Sequence, residues 1–263
     1  MIIDMHMHAF PDSIAQKTIE KLTSIAKIPS HTDGSLQGIK TILERENIAL
    51  GLLLPIATKP GQQKKVNDWA KASQKGNILS FGSVHPDDPQ SIEEIHRIKE
   101  MGLKGIKLHP DYQDFFVDEQ RLFPIYETMQ KLKLSVTFHA GFDPLSPDLI
   151  HARPEAIARV SDFFPDLTII AAHMGGYNLY EEVLEHLAGK KNVYFDTSMS
   201  YVGCPIETYE KIIKTHGTKR ILFGSDCPWS LPSLELSMLD NITLSEDERK
   251  DILYNNAKKI LGI

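Results

Sequence analysis

The stretch LKGIKLHPDYQDFFVDEQRLFPIYETMQKLKLSVTFH, residues 103–139, decides the architecture. It opens on a short β-rich run, Leu103 to His109, and closes on another, Leu134 to His139. Between them, Asp118 to Leu132 carries apolar residues at helical spacing. A strand, a helix and a second strand in one short stretch describe a crossover between parallel neighbours. The same unit recurs on both sides. Runs at Met1–His8, Ala49–Ala57 and Ile78–His85 come before it, and runs at Leu167–His173, Val193–Ser198 and Arg220–Asp226 follow. Helix-patterned segments lie between them, among them Ser91–Met101 with Ile92, Ile95 and Ile98 on one face, Pro154–Phe164 and Ile206–His216. The last helix begins at Ser245-Glu-Asp-Glu248, a hydroxyl N-cap with a glutamate three residues on, and runs toward Gly262. Leu167-Thr-Ile-Ile-Ala-Ala172 is almost continuously apolar, as a strand covered on both faces should be. Eight such units in 263 residues predict an α/β fold, a closed (β/α)8 TIM barrel, over an open doubly wound sheet. No linker or low-complexity segment interrupts the pattern, so residues 1–263 read as one barrel domain. The longest irregular piece is Lys27 to Ser35.

Composition narrows the function. Hydrophobic residues make up 41% and charged residues 24% of the chain, so it can bury a core without disulfides or a structural metal. A metal here would serve chemistry. The net charge is −6 with no basic run, which excludes a nucleic-acid footprint and disfavours anionic membranes. Only Cys204 and Cys227 are present, which excludes a disulfide framework and favours a reducing compartment. The start, Met1-Ile-Ile-Asp-Met-His6, lacks the basic and apolar pattern of a signal peptide. A cytoplasmic enzyme acting on a small molecule is the expectation, with homo-oligomer formation left open.

The polar residues fall at strand ends. Strand one ends in His6-Met-His8, strand four in Lys107-Leu-His109, strand five in His139, strand six in His173 and strand eight in Asp226. In a TIM barrel the C-terminal strand ends form the active-site face. His6 and His8 are two apart on a strand and so point the same way. With His139 and Asp226 they would complete a three-histidine, one-carboxylate site. That donor set suits Zn²⁺, Mn²⁺, Fe²⁺ or Co²⁺ better than Ca²⁺. His139 alone would read as a packed core histidine; the set carries the assignment.

The segments Asp4-Met-His6-Met-His8, Gly105-Ile-Lys-Leu-His-Pro110, His139-Ala-Gly141, Ala172-His-Met-Gly-Gly176 and Gly224-Ser-Asp-Cys-Pro-Trp229 resemble the amidohydrolase-related family. This is the branch of the amidohydrolase superfamily that includes aminocarboxymuconate semialdehyde decarboxylase. The resemblance runs from strand one to strand eight. It implies a TIM barrel with a divalent metal, usually zinc, held by His6, His8, His139 and Asp226, and His173 beside it as a catalytic residue. The family contains hydrolases and decarboxylases.

The first expectation is therefore a metal-dependent hydrolase. Its metal would lower the pKa of a bound water from about 16 to about 7. Asp226 would hold the proton, and His173 would polarise a carbonyl or protonate the leaving group. The alternative is a decarboxylase on the same scaffold. A non-catalytic metal-binding barrel is the third reading, and His173 and Lys107 at the same rim argue against it. Lys107 and His109 share a strand face and could contact a carboxylate-bearing substrate, and Arg153 could clamp one with its planar fork. One metal is expected, although Lys107 on strand four keeps a bridged, two-metal site in play. His31 sits where a lid could form. His96, His151, His186 and His216 read as surface or helix-face residues, Cys227 as packing, and Trp229 as a pocket wall or loop packing.

Overall fold

Runs rich in valine, isoleucine and leucine pair in parallel when helices cover both faces, and eight do so in the computed structural model, which describes residues 1–263. They are β1 (Ile3–Met7), β2 (Leu50–Leu53), β3 (Ile78–Ser80), β4 (Gly105–Leu108), β5 (Ser135–Phe138), β6 (Ile169–Ala171), β7 (Val193–Asp196) and β8 (Ile221–Leu222). The ladders run β1-β2-β3 and β4 through β8. Two seams close the ring. At one, Gly82 N donates to Gly105 O (2.9 Å) and Lys107 N to Gly82 O (2.8 Å). At the other, Met5 N donates to Phe223 O (2.8 Å) and Asp226 N to His6 O (2.8 Å). The expected TIM barrel is the fold.

Period-two alternation then assigns the faces. Ile106 and Leu108, Val136 and Phe138, Ile169 and Ala171, and Val193 and Phe195 join the large core shared with the helices. The residues between them lie side by side in register: Lys107 opposite Thr137, Thr137 opposite Ile170, Ile170 opposite Tyr194. Those positions face the barrel interior. Ile170, Tyr194, Leu52 and Leu222 pack in a smaller buried cluster, and the polar ends sit above it.

The strands are shorter than the sequence predicts. β6 stops at Ala171 and β8 at Leu222, so His173 and Asp226 lie in turns beyond the ladders. Past β8 the buried backbone bonds on two sides: Phe223 N donates to Ile252 O (3.0 Å), while Phe223 O and Asp226 N pair with β1. The helix expected over Asp118–Leu132 spans Phe123–Lys131, with Pro124 in its first turn, where proline is accepted. Ile206–His216 is helical throughout. Ser245 makes the predicted capping box with Glu248, and Gly262 ends the chain's last helix in the left-handed region at φ 68°. No helix is long and apolar enough to cross a membrane.

Candidate metal centre and active site

β1 ends at the rim and carries His6 and His8 on one side. His6 Nδ1 lies 2.8 Å from Asp196 Oδ2, and His8 Nδ1 lies 3.0 Å from the Leu54 carbonyl oxygen. A carboxylate and a carbonyl can only accept, so each Nδ1 donates and each Nε2 keeps a bare lone pair. Those two Nε2 atoms lie 3.1 Å apart. Asp226 Oδ1 lies 3.2 Å from that of His6 and 3.1 Å from that of His8. With both rings neutral, three acceptors converge, an arrangement that could hold a cation. Zinc holds nitrogen and carboxylate ligands at about 2.0–2.2 Å, which sets tetrahedral neighbours about 3.3–3.6 Å apart. The triangle found here is slightly tighter and fits such an ion. Each imidazole is also oriented from behind, as ligating histidines usually are. Gly224 makes room for this: a Cβ there would come within 2.9 Å of His6 Cβ.

Asp196, at the end of β7, organises the floor. It is fully buried. Besides His6, it accepts from His173 N (3.0 Å), from Ser198 N (3.2 Å) and from the Ser198 hydroxyl. Burial alone would raise its pKa, but the charge and hydrogen bond of His6, with help from His173 and Ser198, hold it well below the usual carboxylate range. Asp226 behaves likewise: burial opposes ionisation, and His6, His8 and His173 outweigh it.

His173 lies just past β6. Ser198 Oγ is 2.8 Å from its Nδ1, and His139 Nδ1 is 3.0 Å from its Nε2. Its ring centroid stands 5.2 Å from that of His6. Burial, then the neighbouring His139, push its pKa well below the ordinary imidazole value. His173 and Asp226 both adopt left-handed backbone, φ 58° and 68°. For non-glycine residues that costs about 1–3 kcal/mol each, a price met most often at functional sites.

His139, expected as a fourth ligand, presents Nδ1 to His173 Nε2 at 3.0 Å and its other nitrogen to the loop after β5. Its Nε2 lies 3.2 Å from the Phe142 carbonyl oxygen and 3.6 Å from Asp143 Oδ2. Its ring stacks on His109 with centroids 4.3 Å apart, and His109 stacks on Tyr112 at 3.7 Å. His139 thus groups with His109 and Asp143 in a second constellation able to hold a cation, beside the His6–His8–Asp226 group. A third such group is His6, His173 and Asp196.

Lys107 is 1% exposed on the inner face of β4 and lines the cavity above the floor. Burial lowers its pKa to about 8, against the pull of Asp196, Asp226 and Asp143. His109 lines the same cavity. Arg153 does not. It is half-exposed on the outer surface, ahead of the helix Pro154–Phe163, and pairs with Glu182. The fork of Arg153 is spent on a surface ion pair, which corrects the expectation of a substrate clamp.

Other histidines also differ from expectation. His216 is fully buried, stacked on Phe195 at 3.9 Å, and takes a hydrogen bond from Gly189 N. His151 is buried, with Nδ1 2.9 Å from Asp111 Oδ1. His31 is exposed and lies away from the cavity lining. Cys227 packs in the core and Trp229 lines the cavity.

Sequence reasoning missed Asp196, Ser198 and Asp143. The signal for Asp196 was present in Val193-Tyr-Phe-Asp196, a strand ending in a carboxylate like its neighbours. Asp143 had none, because it hangs on a loop. Its neighbour Gly141 passes so close to Tyr177 that a Cβ would lie 2.3 Å from Tyr177 N, and that crossing sets the loop.

A family model described as amidohydrolase matches residues 3–263. The chain is 22% identical over 280 aligned positions to a gamma-resorcylate decarboxylase from Polaromonas sp. (strain JS666), covering 86% of this chain and 84% of that one. It is 23% identical over 278 positions to a 2-amino-3-carboxymuconate-6-semialdehyde decarboxylase from Caenorhabditis elegans, covering 80% and 67%. Among solved structures, a TIM-barrel protein from Bordetella bronchiseptica superposes with a TM-score of 0.78 at 18% identity, over 99% and 98% of the two chains. These relatives reverse the order expected from sequence, placing decarboxylation ahead of hydrolysis. By sequence and by fold, the chain belongs to the amidohydrolase family.

Proposed function

We propose that this protein is a metal-dependent, non-oxidative decarboxylase of a small aromatic or unsaturated carboxylic acid. The observation that carries the reading is the convergence of His6 Nε2, His8 Nε2 and Asp226 Oδ1, in a cavity also lined by the buried Lys107 and His173. The two decarboxylases that align along most of the chain support it. One divalent ion, zinc by donor type, is assigned to His6, His8 and Asp226, with His139 proposed as a fourth ligand on the family resemblance. Bound there, the ion would orient an acidic substrate and stabilise negative charge as it develops.

The protein's own residues supply the rest. Lys107 attracts the substrate carboxylate into the cavity, where charge-assisted hydrogen bonds are stronger than neutral ones. Loss of carbon dioxide leaves an electron pair on carbon, and a proton must replace it. His173 is positioned to relay a proton taken up from solvent: Ser198 and Asp196 hold its ring and backbone, and its Nε2 lies 3.0 Å from His139 Nδ1 at the cavity lining. Asp226 keeps its second oxygen to hold or return a proton. His109 and Tyr112, stacked together, wall the substrate from the side.

The test is a metal-replete screen of hydroxybenzoates and unsaturated acids with carbon dioxide release monitored, alongside lactones and amides. Carbon dioxide release that is lost in His173→Asn supports the reading. Turnover of lactones or amides with no carbon dioxide from any acid would replace it with hydrolysis.

A further inference from the structure

The cavity continues far beyond the metal-ligand floor. Its volume is about 930 Å³, near the top of the range of about 300–1,000 Å³ that accommodates drug-sized ligands. A single-ring acid would fill only its inner end. The outer walls are the helices Ala15–Ala26 and Gln63–Ser73. The first buries only Ala15 and Ile19 against protein. A separate stripe, Ile14, Thr18, Leu22 and Ile25, lines the cavity instead, at the spacing of one helix face. Ile14 is 48% exposed, and Leu22 and Ile25 are half-buried. Val66 and Trp69 line the cavity from the second helix. Apolar side chains that face open space forgo their burial free energy until something apolar covers them.

The charges point to what that is. Outside the floor, every charged residue lining the cavity is a lysine: Lys17, Lys21, Lys59 and Lys65. The acidic lining residues, Asp143 and Asp226, are buried at the bottom. On a chain of net charge −6, a mouth of one positive sign concentrates anions. Its apolar throat then leads to Lys107.

We infer that the substrate is an amphiphilic carboxylic acid: its carboxylate sits at the floor by Lys107, and an apolar substituent extends outward between the two helices, against Leu22, Ile25 and Trp69. This deepens the decarboxylase reading and rests on it for the position of the carboxylate.

Binding tests the inference without turnover, because both tryptophans of the chain, Trp69 and Trp229, line the cavity. Zinc-loaded protein is titrated with benzoate and its para-ethyl, para-butyl and para-hexyl homologues, and tryptophan fluorescence is read. Each added methylene buried in the outer chamber should lower Kd by about fourfold. The double substitution Leu22→Ser, Ile25→Ser should flatten that series. A flat or rising series in the unaltered protein overturns the inference, as does failure of every member to bind. A flat series with a dimer mass in light scattering would assign the stripe to a second copy of the chain, and equally overturns it. Carbon dioxide release from ortho-hydroxybenzoates separates the two proposals. A flat series with release refutes the chamber alone. A steep series without release supports the chamber and refutes decarboxylation.

Discussion

Replacing Asp196 by asparagine tests the organisation of the metal floor at its least obvious point. In the native protein Asp196 Oδ2 receives the Nδ1 proton of His6 at 2.8 Å, and Oδ1 receives His173 N and Ser198 N. Asparagine keeps the shape and one oxygen. If that oxygen stays with His173 and Ser198, an NH₂ group faces His6 Nδ1. Two donors cannot pair, so His6 must move its proton to Nε2 and point it at the metal position. If the amide flips instead, the NH₂ meets two backbone N–H groups. Either way at least one buried, charge-assisted hydrogen bond is lost, worth about 1.5–3 kcal/mol. This matches the 10–100-fold loss of metal affinity typical of removing a partner behind a ligating histidine, about 1.4–2.8 kcal/mol. The assay is competition for zinc between the apoprotein and a chromophoric chelator, with thermal unfolding of the apoprotein as control. Asp196→Asn should weaken zinc binding by about 10–100-fold and leave the metal-free barrel folded. A wild-type zinc Kd in this variant would refute ligation through His6 Nε2.

Three further outcomes follow from the same geometry. Lys107→Met should raise KM for an acidic substrate by about 10–100-fold, the value of one buried charged hydrogen bond; equal turnover of acidic and neutral analogues in both proteins would remove Lys107 from binding. Arg153→Ala should leave KM for the same acid unchanged, because its guanidinium pairs with Glu182 outside the cavity; a KM increase like that of Lys107→Met would return Arg153 to the site. His216 gives a pH dependence of stability: burial, then Arg220, lower its pKa to about 3, while the unfolded chain takes up that proton near 6.5. The unfolded state therefore binds more protons between those values, and stability falls as pH drops through this window, by at most about 1.4 kcal/mol per unit from this group. Urea unfolding between pH 6.5 and 4 should have a shallower pH slope in His216→Phe than in the native protein, and equal slopes would exclude this histidine as a source of acid sensitivity.

The fold was legible in the sequence because it is written in local periodicity. Each apolar run of six to nine residues separated by a helical segment stands for one βα unit, and eight of them leave little but a closed barrel. The rim followed from the same logic, since polar residues at strand ends have one face to occupy. His6, His8 and Asp226 were therefore readable together, though they lie over 200 positions apart: barrel closure pairs the ends of β1 and β8, as in the bond from Asp226 N to His6 O. Sequence alone did not decide which histidine joins which group. A strand end fixes where a Cα lies, whereas the ring's direction depends on what packs against it. His139 Nδ1 meets His173 while its Nε2 lies by Phe142 and Asp143 on the loop after β5, partners that no local pattern specifies. Arg153 stands beside a helix start in the sequence, but only the tertiary structure brings Glu182 to it on the outer surface. His216 and His151 sit on polar stretches yet are buried, since burial depends on what lies opposite in space. The local pattern determined the scaffold and the rim; the packing of loops and rings across the barrel mouth decided the partners.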